Sequence, residues 1–136
     1  MRYILDTNII FSGIYNIDSN AGKILLLGIE EKIEILSPYY VKKELEMILR
    51  KKLQFTESEI DEIISSLFIN WIEDEIYQDY LDKASKMISD PDDIPILACA
   101  LALECDIISG DEHFHDVLTD KIKIWRLKQA IDDLGQ

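Results

Sequence analysis

The chain opens on a short apolar run, Tyr3-Ile4-Leu5, closed by Asp6, and this run predicts a buried strand over residues 2–6. Asn8 to Tyr15 suits a helix or a turn, with Gly13 weakening the helix. Ala21 to Gly28 predicts a helix that turns Leu25, Leu26 and Ile29 inward. Ile33 to Leu36 predicts a second strand, after which Ser37 and Pro38 supply a cap and a proline for the first helical position. The next helix runs to about Leu53 and repeats Val41, Leu45, Ile48 and Leu49 at helical spacing.

Thr56, followed three residues on by Glu59, is a capping box. Ile60, Ile63, Ile64, Leu67 and Phe68 then repeat at helical spacing, and Asn70 to Ile72 predicts a short edge strand. Tyr77 to Ile88 predicts one helix, through Tyr77, Leu81, Ala84 and Ile88. Pro91 to Leu103 predicts another, nearly all apolar after Asp93 and so buried on most sides. Cys105 to Ser109 predicts a strand, Gly110 a turn, Lys121 to Leu127 a strand of unassigned facing, and Leu127 to Leu134 a closing helix. Strands alternating with helices imply an α/β fold: a three-layer α/β/α sandwich with a mostly parallel central sheet. Ligands of such sheets bind beyond the carboxyl ends of the strands. Asp6 and Asp111 both lie just past a predicted strand, which puts them on one rim.

Composition narrows the picture. With 48% hydrophobic and 30% charged residues, the chain can bury a core, and a single domain over residues 1–136 is expected rather than disorder. The longest apolar run, Ile94 to Leu103, is too short for a bilayer, which needs about 20 residues. Asp6 interrupts the opening run and no small-residue cleavage site follows, so no signal peptide is expected. Cys99 and Cys105 match no zinc or redox spacing and are expected to be buried and reduced. A cytoplasmic protein without membrane contact is the resulting expectation.

The net charge of −13 argues against a nucleic-acid partner when taken alone. The charge is uneven, however. Glu57 to Asp93 carries twelve acids and two bases, whereas Lys42 to Lys52 carries five bases and two acids, and Lys121 to Lys128 four bases and no acid. Lys42, Lys43, Arg50, Lys51 and Lys52 are therefore candidates for an RNA backbone, against the plainer reading of solvated helix faces and helix-end charges.

Four carboxylates carry the candidate chemistry. An Asp ending a buried strand, as Asp6 does, is costly unless hydrogen-bonded or bound to metal, although a turn cap explains it equally well. Glu44 alone is an ordinary helix residue. Asp90, Asp92 and Asp93 gather at a helix start, where capping explains one or two, with Asp92 as N-cap and Pro95 in the first turn. Asp93 is then the surplus acid, facing the rim. Asp111 repeats the arrangement of Asp6. Crowded carboxylates raise each other's pKa and repel unless a cation joins them. Hard oxygen donors favour Mg²⁺ or Mn²⁺, ions that serve in-line attack of water on a phosphodiester.

In this order, YILDTNII, LSPYYVKKELE and DDIPILACALALECDIISGDEHF resemble the motifs of the PIN-domain nucleases, and among them the VapC-type ribonuclease toxins. The resemblance covers nearly the whole chain. It implies Asp6, Glu44, Asp93 and Asp111 as catalytic metal ligands. It further implies Asn8 as support for Asp6, Ser37 lining the pocket, and Ser109 as the hydroxyl of the last motif. The implied activity is Mg²⁺- or Mn²⁺-dependent endoribonucleolytic hydrolysis of RNA, with an antitoxin protein and a homodimer among the implied partners. Many members carry an acid where this chain has His113, a residue able to bind Mn²⁺ or move a proton.

Two rivals stand beside it. One is a catalytically weak PIN module that only binds RNA or protein, which gains nothing from four repelling carboxylates. The other is a haloacid-dehalogenase-type phosphatase, suggested by Gly110, Asp111 and Asp116. Those enzymes need an Asp two residues after the nucleophile, where this chain has Asn8.

Overall fold

A computed structural model describes all residues 1–136. Its strands are β1 (Arg2–Leu5), β2 (Glu34–Pro38), β3 (Ile69–Ile72), β4 (Asp106–Ile108) and β5 (Ile124–Trp125). They form one sheet in the order β3-β2-β1-β4-β5, and every pairing is parallel. The helices are α1 (Thr7–Tyr15), α2 (Asn20–Ile29), α3 (Tyr39–Lys52), α4 (Glu57–Ser66), α5 (Asp74–Tyr77), α6 (Leu81–Ser85), α7 (Ile94–Leu103), α8 (Glu112–His115) and α9 (Leu127–Asp133). The nearly all-apolar α7 packs on β1, β2 and β4, with α5 and α6 laid over it. Helix α1 packs on α2 and α3, α2 reaches β2 and α9, and α3 reaches β2 and β3. The sheet thus lies between two helical layers, as the alternation of elements implies.

The chain runs outward from β1 through β2 to β3, then returns to place β4 on the other side of β1. The reversal opens a crevice between the carboxyl ends of β1 and β4, the place where open parallel sheets bind ligands. Asp6 directly follows β1, and Asp111 lies three residues past the end of β4.

Several expectations change. Ser37 lies within β2 and does not cap α3, while Pro38 ends β2 and is the N-cap of α3 rather than its first helical residue; the Ser37 hydroxyl donates to the Leu5 carbonyl at 2.6 Å, tying β2 to β1. Leu26 is exposed and Ile29 half-buried, because Ile24, Leu25 and Leu27 supply the inward face of α2. Phe68 lies beyond α4 with φ 54° and is 59% exposed, so the apolar series ends one residue earlier, at Leu67. The single helix over 77–88 is instead α5, a 3₁₀ turn over Gln78–Tyr80, and α6. The strand over 121–127 shrinks to β5, where Trp125 is buried edge-on against Tyr3. The capping box at Thr56 and Glu59 and the edge position of β3 are as expected.

One glycine is fixed by close approach. A Cβ on Gly22 would stand 2.0 Å from the Ile17 carbonyl oxygen. Because backbone cannot yield as a side-chain tip does, Gly22→Ala is expected to cost about 1–3 kcal/mol, measured by urea unfolding.

Candidate active site

The crevice is a cleft of about 180 Å³ lined by Asp6, Glu44, Asp90, Asp92, Asp93 and Asp111, together with Thr7 and Asn8. Asp6 is the N-cap of α1 and buried. One of its oxygens accepts from the Ile9 amide at 2.9 Å, and the other accepts from the Ser109 hydroxyl. The Ser109 hydroxyl oxygen in turn accepts from the Asp111 amide at 3.0 Å, so one serine fixes both strand-end acids. Burial is the main reason the Asp6 carboxyl is pushed above its ordinary pKa; these hydrogen bonds oppose the shift.

Glu44 reaches the cleft from α3, one turn after Tyr40, and accepts from the Thr7 hydroxyl. Burial raises its pKa as well, and the Thr7 bond opposes this. Asp93 directly precedes α7 as its N-cap residue, but its side chain makes no capping bond, and Pro95 sits in the first turn. Its Oδ2 is buried without any hydrogen-bond partner. Burial, then the charges of Asp111, Asp90 and Asp6, push its pKa up to about 7. An orphaned buried carboxylate oxygen among other acids is a group waiting for a cation.

The donor set fits one. Asp93, Asp111 and His113 place ligand atoms all within 4.8 Å of one another. Asp6 and Glu44 line the same cleft outside that closest trio, each held by a hydroxyl. The imidazole of His113 thus stands beside the carboxylates, so the candidate donor set is not oxygen alone.

The other expected residues divide. Asn8 lines the cleft, but Ile9 and Ser109, not Asn8, support Asp6. Ser37 does not line it, since its hydroxyl is committed to Leu5. Asp92 is not the N-cap of α7; its amide is held by the Asp90 carboxylate at 2.9 Å, and its own carboxylate accepts from the Tyr40 hydroxyl. Asp116 is exposed at the end of α8 and away from the cleft, which removes the phosphatase motif.

Among the basic residues, Arg50 is paired with Glu57 at 2.5 Å. Lys42 and Lys43 lie over the Tyr39 ring at 5.4 and 5.0 Å, and Lys52 over Phe11 at 5.7 Å. Lys51 is exposed and follows Glu44 and Ile48 along one stripe of α3. The second basic stretch is largely occupied: Arg126 pairs with Glu112, Lys128 with Asp132, and Lys123 covers Trp125.

Sequence reasoning missed Thr7, Tyr40 and His115, whose Nε2 lies 2.9 Å from the Ser109 carbonyl oxygen. Tyr40 carries a readable signal, standing four residues before Glu44 on the same helical face. Thr7 acts through Glu44, 37 residues away, and carries none; His115 folds back on Ser109, six residues before it, through a turn that its apolar spacing does not reveal.

Comparison with known proteins agrees with this architecture. A family model described as PIN domain matches residues 4–130. No curated protein sequence matches significantly. Three solved structures share the fold. One is VapBC2 from Rickettsia felis bound to a DNA fragment from its promoter, at 19% identity and TM-score 0.66 over 93% of this chain and 98% of that one. A second is DNA-bound VapBC from Salmonella typhimurium, at 16% identity and TM-score 0.71 over 93% and 98%. The third is VapBC-1 from nontypeable Haemophilus influenzae, at 17% identity and TM-score 0.60 over 94% and 99%. A parallel sheet, an acidic cleft at its switch point and a family match over nearly its whole length together make this chain a member of the PIN-domain family, whose members are generally nucleases.

Proposed function

We propose that this protein is a metal-dependent endoribonuclease, the toxin of a toxin–antitoxin pair. The observation that carries the reading is the buried Asp93 oxygen without a partner, set beside Asp111 and His113. Asp93, Asp111 and His113 would hold Mg²⁺ or Mn²⁺, and Asp6 and Glu44 complete the acidic wall. The imidazole favours Mn²⁺, since Mg²⁺ keeps to oxygen donors. When bound, the ion would supply charge neutralisation at the phosphodiester and would lower the pKa of a water held against it. Ser109 keeps the Asp6 carboxylate aimed and Thr7 does the same for Glu44, so neither must reorganise as charge develops.

The three structural neighbours are VapBC complexes, which supports an antitoxin as protein partner. A homodimer belongs to the same reading, and sedimentation of the purified chain tests it. No helix is long and apolar enough to cross a membrane, in keeping with the cytoplasmic placement we propose. The activity is tested by incubating purified protein with total cellular RNA and Mn²⁺ and mapping the ends. Discrete cuts absent with Asp6→Asn support it, and an intact RNA pool overturns it.

The nucleic acid follows α3 in this proposal. Lys51 and Lys52 continue the stripe that carries Glu44, whereas Arg50 is neutralised by Glu57. Replacing Lys51 and Lys52 with Ala should lower the salt slope of RNA binding by about two units, at about one per phosphate contact. Arg50→Ala should leave the slope nearly unchanged. A slope unaltered by the lysine pair would place the backbone elsewhere.

A further inference from the structure

Beside the carboxylate cleft lies a second cavity, of about 290 Å³. Tyr39, Tyr40, Leu81 and Pro95 give it apolar walls. The two cavities are adjacent through shared structure. Tyr40 lines the second cavity while its hydroxyl donates to Asp92, which lines the first. Pro95 lines the second while Asp93 and Ile96, on either side of it in the chain, line the first. The second cavity is therefore a neighbour of the cleft, open to a nucleotide flanking a phosphate held there.

Its polar groups have a definite character. Asp74 is exposed, and one of its oxygens accepts from the hydroxyl of the buried Tyr77 at 2.7 Å. The other oxygen has no protein donor, and Gln78 leaves its side-chain amide free. Lys43 adds an ammonium to the same lining and offsets the acid. Flat apolar walls with an acceptor and donors between them are what an unstacked base requires. Guanine alone among the bases presents two neighbouring N–H donors, at N1 and N2, beside an acceptor, O6. A carboxylate takes that donor pair, and a lysine or amide N–H takes O6. The volume is near the lower end for small-molecule sites, roughly 300–1,000 Å³, which suits one base.

We propose that the cavity between Tyr40, Leu81 and Pro95, closed by Asp74 and Gln78, is a guanine-reading subsite beside the cleavage site. The proposal rests on the ribonuclease reading above. Two measurements keep the failures of the two apart. The first is cleavage, with Mn²⁺, of single-stranded RNA randomised around one position. Guanine should be enriched at one fixed position next to the cut. Asp74→Asn should flatten that enrichment while cutting continues. Tyr40→Ala should raise KM roughly tenfold, and Tyr40→Phe, which keeps the ring, should restore KM. Enrichment that survives both Asp74→Asn and Tyr40→Ala, or no enrichment in the parent, overturns the subsite. The second is an NMR titration with guanosine 5′-monophosphate and uridine 5′-monophosphate. The guanine nucleotide should shift the Gln78 and Leu81 amides and the uridine nucleotide should not, the shifts vanishing in Tyr40→Ala. Equal responses to both nucleotides, or none, overturn the subsite whether or not the protein cuts RNA. Selective binding in a protein that never cuts RNA keeps the subsite and overturns the ribonuclease reading instead.

Discussion

Asp93→Asn is expected to abolish RNA cleavage and, in EDTA, to make the protein harder to unfold. The two effects share one cause. Asp93 is 7% exposed, its Oδ2 has no hydrogen-bond partner, and burial with the charges of Asp111, Asp90 and Asp6 pushes its pKa up to about 7. Above that pH the metal-free fold must hold a buried, unpaired charge. Asn keeps the shape and removes the charge, so the free energy of unfolding should rise, by up to about 4 kcal/mol for a pKa raised from the usual carboxylate range to about 7. Activity moves the other way, because a lost ligand removes charge stabilisation at the phosphate; single preorganised donors are worth about 10²–10³ in rate. Melting curves in EDTA and initial cleavage rates in Mn²⁺ measure both. A variant less stable than its parent in EDTA would make Asp93 a structural cap.

The second large effect is on pH. A carboxyl whose folded pKa is raised adds nothing below its unfolded value, near 4, where both states are protonated. It destabilises the fold increasingly as pH climbs from about 4 to about 7, and that penalty is complete above the folded value. The metal-free parent should therefore lose stability across this window, and Asp93→Asn should lose much less. Asp6 and Glu44, also raised mainly by burial, contribute with the same sign. Mn²⁺ should reverse the trend, adding about 2.7 kcal/mol at a hundred times its Kd. Its affinity should grow with pH as the carboxyls lose their protons. Urea unfolding from pH 4 to 8, with and without Mn²⁺, gives both slopes. A parent whose metal-free stability rises through this window would contradict the crowded cleft.

Much of this site is legible in the chain because its acids end or begin regular elements. Asp6 and Asp111 follow apolar strands, and a parallel sheet brings strand ends to one rim whatever the details of packing. Asp93 is the surplus acid at the start of α7, whereas Glu44 alone is an ordinary helix residue and is reached only through the motif it sits in. What the chain does not reveal depends on tertiary partners. Ser37 looks like a helix cap until the Leu5 carbonyl, 32 residues away, is seen to take its hydroxyl. Thr7 bonds Glu44 across 37 residues. The apolar spacing from Tyr77 to Ile88 is helical, yet the backbone breaks into three pieces where it packs on α7 and Tyr77 turns back to Asp74. Phe68 and Leu26 continue apolar series that end in solvent, a fate that spacing cannot distinguish from burial.

The central claim is that this cleft hydrolyses RNA with a metal-activated water. Product-end chemistry tests it most directly, on a single-stranded RNA carrying one 2′-deoxy nucleotide at the mapped cut. Attack by water needs no 2′-hydroxyl and forms no cyclic phosphate. The account predicts that the parent cuts the deoxy-substituted strand as well as the all-ribose strand with Mn²⁺, leaves no 2′,3′-cyclic phosphate by mass spectrometry, and stops in EDTA. Cutting that persists in EDTA, requires the 2′-hydroxyl and ends in a cyclic phosphate would contradict it.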